Sequence, residues 1–570
     1  MARRTDRPHR PRLLPGTRRT LCVLALTAAA LLPAQASPAA PVPAPSAGSR
    51  PGPCADRIRP ASQMTVEPCD TPARIIDKAA RTVPTKGQLA WQRREITAFT
   101  HFGMNTFTDR EWGSGTEDEK LFDVSGPARP DIDQWMRAYR AAGARQVMLT
   151  AKHHDGFVLY PTRYSPHSVA ASPGRPDVVG AYVRAARKAG LKVGIYLSPS
   201  DGAELPHAWH ARWVEEIRAK QAEGKPLSLP ERVALEDGDR APRGLGRFGN
   251  GSPVTSRTLP TLVPGDDRAA AVRGGRLPVL HVRADDYDAY YLNQVYELFT
   301  QYGPIDELWL DGANPWSDSG ITQRYGVAQW FQVIHRLSPD TVVFAGPQGA
   351  RWVGNENGVA RESEWSVTPS TADPWTVQAG GLPHDSTDPD IGSRARLLAP
   401  TTKYLQWYPA EADVSLRPGW FHHPAERPKS PAQLLALYEK SVGRNAVLLL
   451  NVPPARNGRI DAADVASLTA FGTAVHRIYG TDLRTAGPGP YTFDRLGLAE
   501  DIRYGQRVER FAVRARSGGR WRTIATGTTI GYRRILALPA PVTAEAVRVE
   551  VRQARGRPRL LPVTLHAAGR

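Results

Sequence analysis

Residues 130–157 read PDIDQWMRAYRAAGARQVMLTAKHHDGF. Pro130 suits the first turn of a helix and Asp131 suits its cap. Ile132, Trp135, Met136 and Tyr139 then recur at spacings of three and four, one face of a helix, until Gly143 ends the pattern. Gln146–Ala151 follows as a short apolar run, as expected of a strand buried on both faces. Lys152, His153, His154 and Asp155 come directly after it. Residues 176–201 repeat the plan. Pro176-Asp177 opens a helix with Val178, Val179, Tyr182, Val183 and Ala186 on one face, Gly190 closes it, and the run Lys192–Leu197 carries Tyr196 and leads to Asp201.

Further runs at Thr97–Met104, Glu307–Asp311, Thr341–Ala345 and Ala446–Val452 read as strands, and residues 287–302 read as a helix with Tyr291, Val295, Leu298 and Phe299 on one face. Strands alternating with helices imply an α/β fold with a parallel sheet. Over about 400 residues, the expectation is an imperfect (β/α)8-type barrel spanning residues 71–484, with an insertion at 202–280. A doubly wound sheet is the alternative, but no glycine-rich phosphate loop follows the first strand. From residue 485 to 570, Val508–Ala515, Arg520–Ile524 and Ala546–Val551 alternate in polarity between turns such as Ser517-Gly518-Gly519, which predicts a small C-terminal β-sandwich.

The chain has 570 residues, 41% hydrophobic and 23% charged, an ordinary balance for a folded protein. Its formal charge is +18, which raises nucleic-acid binding as a class. Residues 1–36 contribute seven Arg against one Asp, however, and the remaining excess is spread without a dense basic tract. Neither nucleic acid nor membrane is therefore expected as a partner. No stretch beyond residue 36 approaches a membrane span. Residues 1–36 have the form of a signal peptide: a basic start, the apolar run Leu21–Pro33 and the small-x-small end Ala34-Gln35-Ala36. Arg18-Arg19 also suits twin-arginine export. Residues 37–70 begin as a Pro/Ala-rich linker. In the oxidising environment that export implies, Cys54 and Cys69 are candidates for a disulfide. Oligomeric state cannot be read from the chain.

The residues at the ends of the predicted strands are His101, the Lys152–Asp155 group, Tyr196, Asp311, Glu356, and then Glu411, Asp413 and Trp420. Reactive groups of a barrel lie at these C-terminal ends. Two carboxyls with several histidines and tryptophans suit glycoside hydrolysis, in which one carboxylate attacks and a carboxylic acid protonates the leaving oxygen. Aromatic rings cover the apolar faces of a sugar. If their strands are neighbours, about 4.8 Å apart, Asp311 and Glu356 match the roughly 5–5.5 Å carboxyl separation of retaining enzymes. A metal is not expected. His153 and His154 would point to opposite faces of an extended strand, and no HExxH motif is present. A non-catalytic sugar-binding protein, or a glycosidase for another neutral sugar, is the competing class.

HFGMNTF (101–107), EWGSGTED (111–118), AKHHDGF (151–157), YGPIDELWLDG (302–312), RWVGNENG (351–358), DVSLRPGW (413–420) and LLLNVPP (448–454) resemble glycoside hydrolase family 29, the α-L-fucosidases. RWVGNE, RPGW and the insertion text GNGSP and TLVPGDD are similar to the subfamily that prefers α-1,3/1,4-linked fucose. The resemblance implies an imperfect barrel followed by a β-sandwich, retention of anomeric configuration, no cofactor or catalytic metal, and a fucosylated oligosaccharide or glycoprotein glycan as substrate. It implies Asp311 as nucleophile and Glu356 as acid/base, with Glu362, Glu364 and Glu411 as rivals for the second role. It places His101, Glu111, Trp112, His153, His154, Tyr196, Trp309 and Trp420 around the sugar. FDRLGLAEDIRYGQRVERF (493–511) resembles a discoidin-like module, for which a structural or site-shaping role is expected.

Overall fold

The computed structural model describes residues 54, 57–113, 115–204, 216–227, 235, 252–311, 325–377 and 388–569. The expected signal peptide, most of the linker and much of the insertion lie outside these residues.

Eight parallel strands form the barrel: β1 (Ile96–Thr100), β2 (Gln146–Lys152), β3 (Lys192–Leu197), β4 (Glu307–Trp309), β5 (Val342–Phe344), β6 (Arg351–Trp352), β7 (Ala410–Ser415) and β8 (Ala446–Asn451). They pair in chain order, and β8 returns to β1 with Leu448 opposite Ile96. Between β5 and β6 the ring is joined only by the bridge Phe344–Ala350, so closure is imperfect there. The principal helices are α1 (Ile132–Ala141), α2 (Val178–Lys188), α3 (Asp286–Gln301), α4 (Val327–Leu337), α5 (Pro431–Lys440) and α6 (Ala462–Tyr479). Asp131 caps α1 by accepting from Gln134 N at 3.0 Å, and Asp177 caps α2 by accepting from Gly180 N at 2.8 Å. Tyr139 of α1 and Tyr182 of α2 both reach Thr100 Oγ1 at 2.8 Å, fixing two helices to the end of β1.

The run expected as a strand over 97–104 is shorter in the fold. β1 stops at Thr100, and Met104–Thr108 is a helix. Met104 and Phe107 of that helix remain buried in the same core, so apolar character alone does not mark the change. β6 and β7 are strands that apolar runs do not reveal. β6 has two residues, and the fully buried β7 carries Glu411 and Asp413. Between them the chain leaves the barrel, and Val367–Ser370, Tyr404–Trp407 and Gln63–Thr65 form a small antiparallel sheet. Cys54 is joined to Cys69 beside it, across a sequence separation of 15. In the expected insertion, Thr255–Leu259 pairs with Leu280–Ala284 just before α3.

Beyond α6, the antiparallel strands are β9 (Tyr491–Leu498), β10 (Val508–Ser517), β11 (Arg520–Gly527), β12 (Arg534–Ala544), β13 (Ala546–Ala554) and β14 (Thr564–His566). They form two sheets, β12-β9-β14 and β11-β10-β13, around Phe493, Leu496, Phe511 and Val513. Gly518 and Gly519, both with positive φ, make the two-residue turn between β10 and β11. Glu95, immediately before β1, accepts from Tyr532 Oη and Arg533 Nη1 at 3.0 Å each. Asn445, before β8, accepts from Tyr532 N at 2.7 Å. These contacts brace the N-terminal ends of barrel strands, opposite the end that carries the candidate site.

Candidate active site

An aromatic floor lies at the C-terminal end of the barrel. Phe99, Tyr196, Trp309 and Phe344 pack with Met148 and Leu449, and Trp352 and Trp420 close against them. Trp309 stacks on Phe344 at 3.9 Å and on Tyr196 at 5.2 Å between ring centroids. Asp311 stands two residues beyond β4, its side chain 27% exposed, so it faces open space rather than packed interior. Its Oδ2 accepts from Tyr196 Oη at 2.9 Å and lies 3.4 Å from His154 Nε2. A carboxylate oriented in this way by neighbouring groups is fit for nucleophilic attack.

His153 and His154 both line this floor. Their rings are 4.5 Å apart, and His153 lies 5.8 Å from the Tyr196 ring. The expectation of opposite faces fails because the strand has already ended. Gly156 N donates to His153 O, Gly156 takes φ +81°, and Asp155 accepts from Phe157 N at 2.7 Å, so the chain turns there. His154 Nδ1 meets Ser198 Oγ at 2.8 Å. His101 Nδ1 meets Asn451 Oδ1 at 2.8 Å, while Asn451 Nδ2 donates to Ser415 Oγ and Trp420 O. That assignment makes His101 the donor through Nδ1 and leaves Nε2 as an acceptor. Burial lowers the His101 pKa to about 4, so it is neutral at physiological pH.

Glu356 sits on a loop shaped by its neighbours. Gly354 and Gly358 take φ +98° and +68°, and Asn355 Oδ1 accepts from Asn357 N at 3.1 Å while its Nδ2 donates to Val359 O at 2.9 Å. Glu356 projects from this turn as an exposed residue. Desolvation of its carboxyl against the site wall raises its pKa. The charges of Asp311 and Glu111 add to the rise, and a hydrogen bond with the Trp420 side chain opposes it. The strands carrying Asp311 and Glu356 are not neighbours, because β5 lies between β4 and β6. The loop beyond β6, rather than strand spacing, brings Glu356 within electrostatic reach of Asp311.

A third carboxyl belongs to this group. Asp413 of β7 is buried and accepts from Trp352 Nε1 at 2.8 Å. Burial first, then the Glu356 and Asp311 charges, push its pKa up to about 8, so it holds a proton at neutral pH.

The α-L-fucosidase family profile matches residues 79–478. The chain belongs to the α-L-fucosidase family. Alpha-L-fucosidase 1 of Arabidopsis thaliana is 31% identical over 84% of this chain and 86% of its own length. A rice relative (Oryza sativa subsp. japonica) is 33% identical over 84% and 83%. Among solved structures, one from Bacteroides ovatus aligns with TM-score 0.69 and 34% identity, covering 90% of this chain and 79% of that one. A glycoside hydrolase 29 family member from an unknown rumen bacterium aligns with TM-score 0.61 and 31% identity over 85% and 77%. The imperfect barrel with C-terminal antiparallel sheets is the fold of these fucosidase-family neighbours.

Within this fucosidase-family site, the rival acids lie elsewhere. Glu411 is sealed beneath the floor, accepting from Trp309 Nε1 at 2.9 Å and hydrogen-bonded to Glu307. Glu364 is buried against Arg351, and Glu362 pairs with Arg444 and Arg534. Trp112 is 44% exposed, with its ring 5.4 Å from that of His154. Glu111 holds backbone: its Oε2 accepts from Trp420 N at 2.8 Å and its Oε1 from Phe421 N at 3.0 Å. Sequence reasoning assigned no role to Asp413, Trp352 or Asn451. They lie in the quoted motifs DVSLRPGW, RWVGNENG and LLLNVPP respectively, so position in a motif was the available signal.

Proposed function

We propose that this protein is an exported, retaining exo-α-L-fucosidase that releases α-1,3/1,4-linked fucose from glycans by double displacement. The observation that carries the reading is Asp311, open to the site and oriented by Tyr196 Oη, with Glu356 close enough for the two charges to interact. Asp311 attacks the anomeric carbon and the glycosidic bond breaks. Glu356 gives its proton to the departing oxygen, then takes one from the water that releases fucose. The raised pKa of Glu356 supports the first half of that role. His101, His153, His154 and Tyr196 supply polar partners for hydroxyls, and the aromatic floor suits the methyl group of a 6-deoxy sugar. The RWVGNE and RPGW segments favour the branched-glycan linkage, and the basic and apolar leader favours export.

The reading is tested by incubating the protein with an aryl fucoside, an aryl galactoside and a Lewis-type trisaccharide, following the anomer first released by NMR. Release of the α-anomer from the fucoside and trisaccharide, with the galactoside untouched, is the expected result. The β-anomer as first product would remove the double displacement, and cleavage of the galactoside alone would remove the sugar assignment.

A further inference from the structure

The loop that carries Trp420 is held by a charge arrangement that joins Glu111 to His423 and Asp109, two residues outside the quoted motifs. His423 Nε2 lies 2.7 Å from Glu111 Oε1, and its Nδ1 lies 2.7 Å from Asp109 Oδ1. Glu111 in turn accepts the backbone N–H groups of Trp420 and Phe421. A Cβ on Gly419 would overlap Glu111 Oε1, so the loop approaches this carboxylate as closely as glycine allows. From the other side, Asn451 Nδ2 donates to Trp420 O at 2.8 Å. The Trp420 ring stands 5.2 Å from that of His101, and its side chain hydrogen-bonds Glu356.

Both ring nitrogens of His423 therefore face carboxylates. A neutral imidazole has one N–H, so one of the two contacts would set a lone pair against an anion, whereas an imidazolium donates to both. We propose that His423, as an imidazolium bridging Asp109 and Glu111, is a positioning residue that locks the Trp420 loop against Glu356. This rests on the fucosidase reading of the site and names a part of its machinery that the family motifs do not include.

The charged groups around His423 agree. The Glu111 hydrogen bond, then that of Asp109, with the Glu111 and Glu426 charges, outweigh partial burial and raise its pKa to about 9. Glu426 lies on the same loop and accepts from Gly419 N at 3.0 Å. Arg417, the nearby cation, donates to the His423 and Glu426 carbonyls, and its guanidinium is engaged by Asp461 and Asp464 at the start of α6. A raised pKa on a base means that the bridge is complete at neutral pH and is lost as pH rises through about 9.

The test uses the full chain, an activated aryl fucoside and histidine-selective NMR. In the wild type, one imidazole resonance titrates at alkaline pH and disappears in His423→Ala. In Asp109→Asn, at an exposed position, that titration moves to lower pH. Misplacement of the loop lowers kcat/KM in His423→Ala by about 10- to 100-fold, and His423→Arg, which keeps a charged donor, restores part of it. Wild-type kcat/KM in His423→Ala, or an unmoved titration in Asp109→Asn, overturns the proposal. If His423→Ala does not fold, the Asp109→Asn titration decides. A wild-type protein inactive on the fucoside, with the NMR shift intact, would instead sink the fucosidase reading while leaving the bridge standing.

Discussion

Asp311 and Glu356 differ in how their surroundings prepare them. Asp311 receives a hydroxyl from Tyr196, whereas Glu356 stands on a glycine-flanked turn with its pKa raised by desolvation and by the charges of Asp311 and Glu111. Asp311→Asn should lower turnover of an aryl fucoside by several orders of magnitude with an unchanged melting temperature. For Glu356→Ala, the loss should be about 10²- to 10⁴-fold on a natural glycan and much smaller on an aryl fucoside. Equal losses would assign the acid elsewhere. Glu411 makes a contrasting prediction. It is fully buried, and burial first, then the Glu307 charge, push its pKa well above the ordinary range. One carboxyl must then donate to the other, and Glu411 holds the proton. Glu411→Gln keeps a donor for Glu307 and an acceptor for Trp309, so stability and activity should survive. Glu411→Ala leaves buried polar groups unpaired and should cost about 1–3 kcal/mol. Because these acids have raised pKa values in the folded state, the wild type should lose stability as pH rises through about 7, the value for Glu307, and beyond. Glu411→Gln should flatten that decline in melts taken across pH.

At the scale of elements, the β5–β6 connection is the unusual one. Six residues, 345–350, link two parallel strands that would ordinarily need a helical crossover. Ala345 and Gln348 take positive φ values of 64° and 51° to do it, and a Cβ on Gly349 would collide with Val343 O. Gly349→Ala should therefore destabilise by about 1–3 kcal/mol. It should also reduce activity, since β6 leads directly into the Glu356 loop. A melting temperature equal to wild type would show that the connection tolerates a side chain. The helices on either side of β2 were legible because Pro-Asp starts, apolar faces at helical spacing and glycine ends agree with one another. β7 was hidden because Glu411 and Asp413 interrupt the apolar run that marks a buried strand. Each accepts from a tryptophan brought from another strand, Glu411 from Trp309 and Asp413 from Trp352.

At the scale of the whole molecule, the terminal sandwich and the candidate active site occupy opposite ends of the barrel. Glu95 is the clearest joint: it accepts from Tyr438 Oη, Tyr532 Oη and Arg533. Glu95→Ala should lower stability by about 1–3 kcal/mol and leave KM for an aryl fucoside unchanged. A raised KM with unaltered melting would indicate that the sandwich shapes the site after all. The described contacts favour bracing.

The linear chain by itself determined the alternating βα plan, the family motifs and the identity of the chemical groups, because caps, helical periodicity and short apolar runs are local properties. The pairing of Asp311 with Glu356 across an intervening strand was decided only in three dimensions. So were the turning of both His153 and His154 toward one floor, the protonated Asp413 and the His423 bridge. The physical reason is that the carboxyl pair, the Asp413 proton and the His423 bridge depend on desolvation and on charges contributed by residues distant in sequence, which act only once the barrel has closed, while the histidine turn rests on a positive φ at Gly156 that apolar patterning does not display.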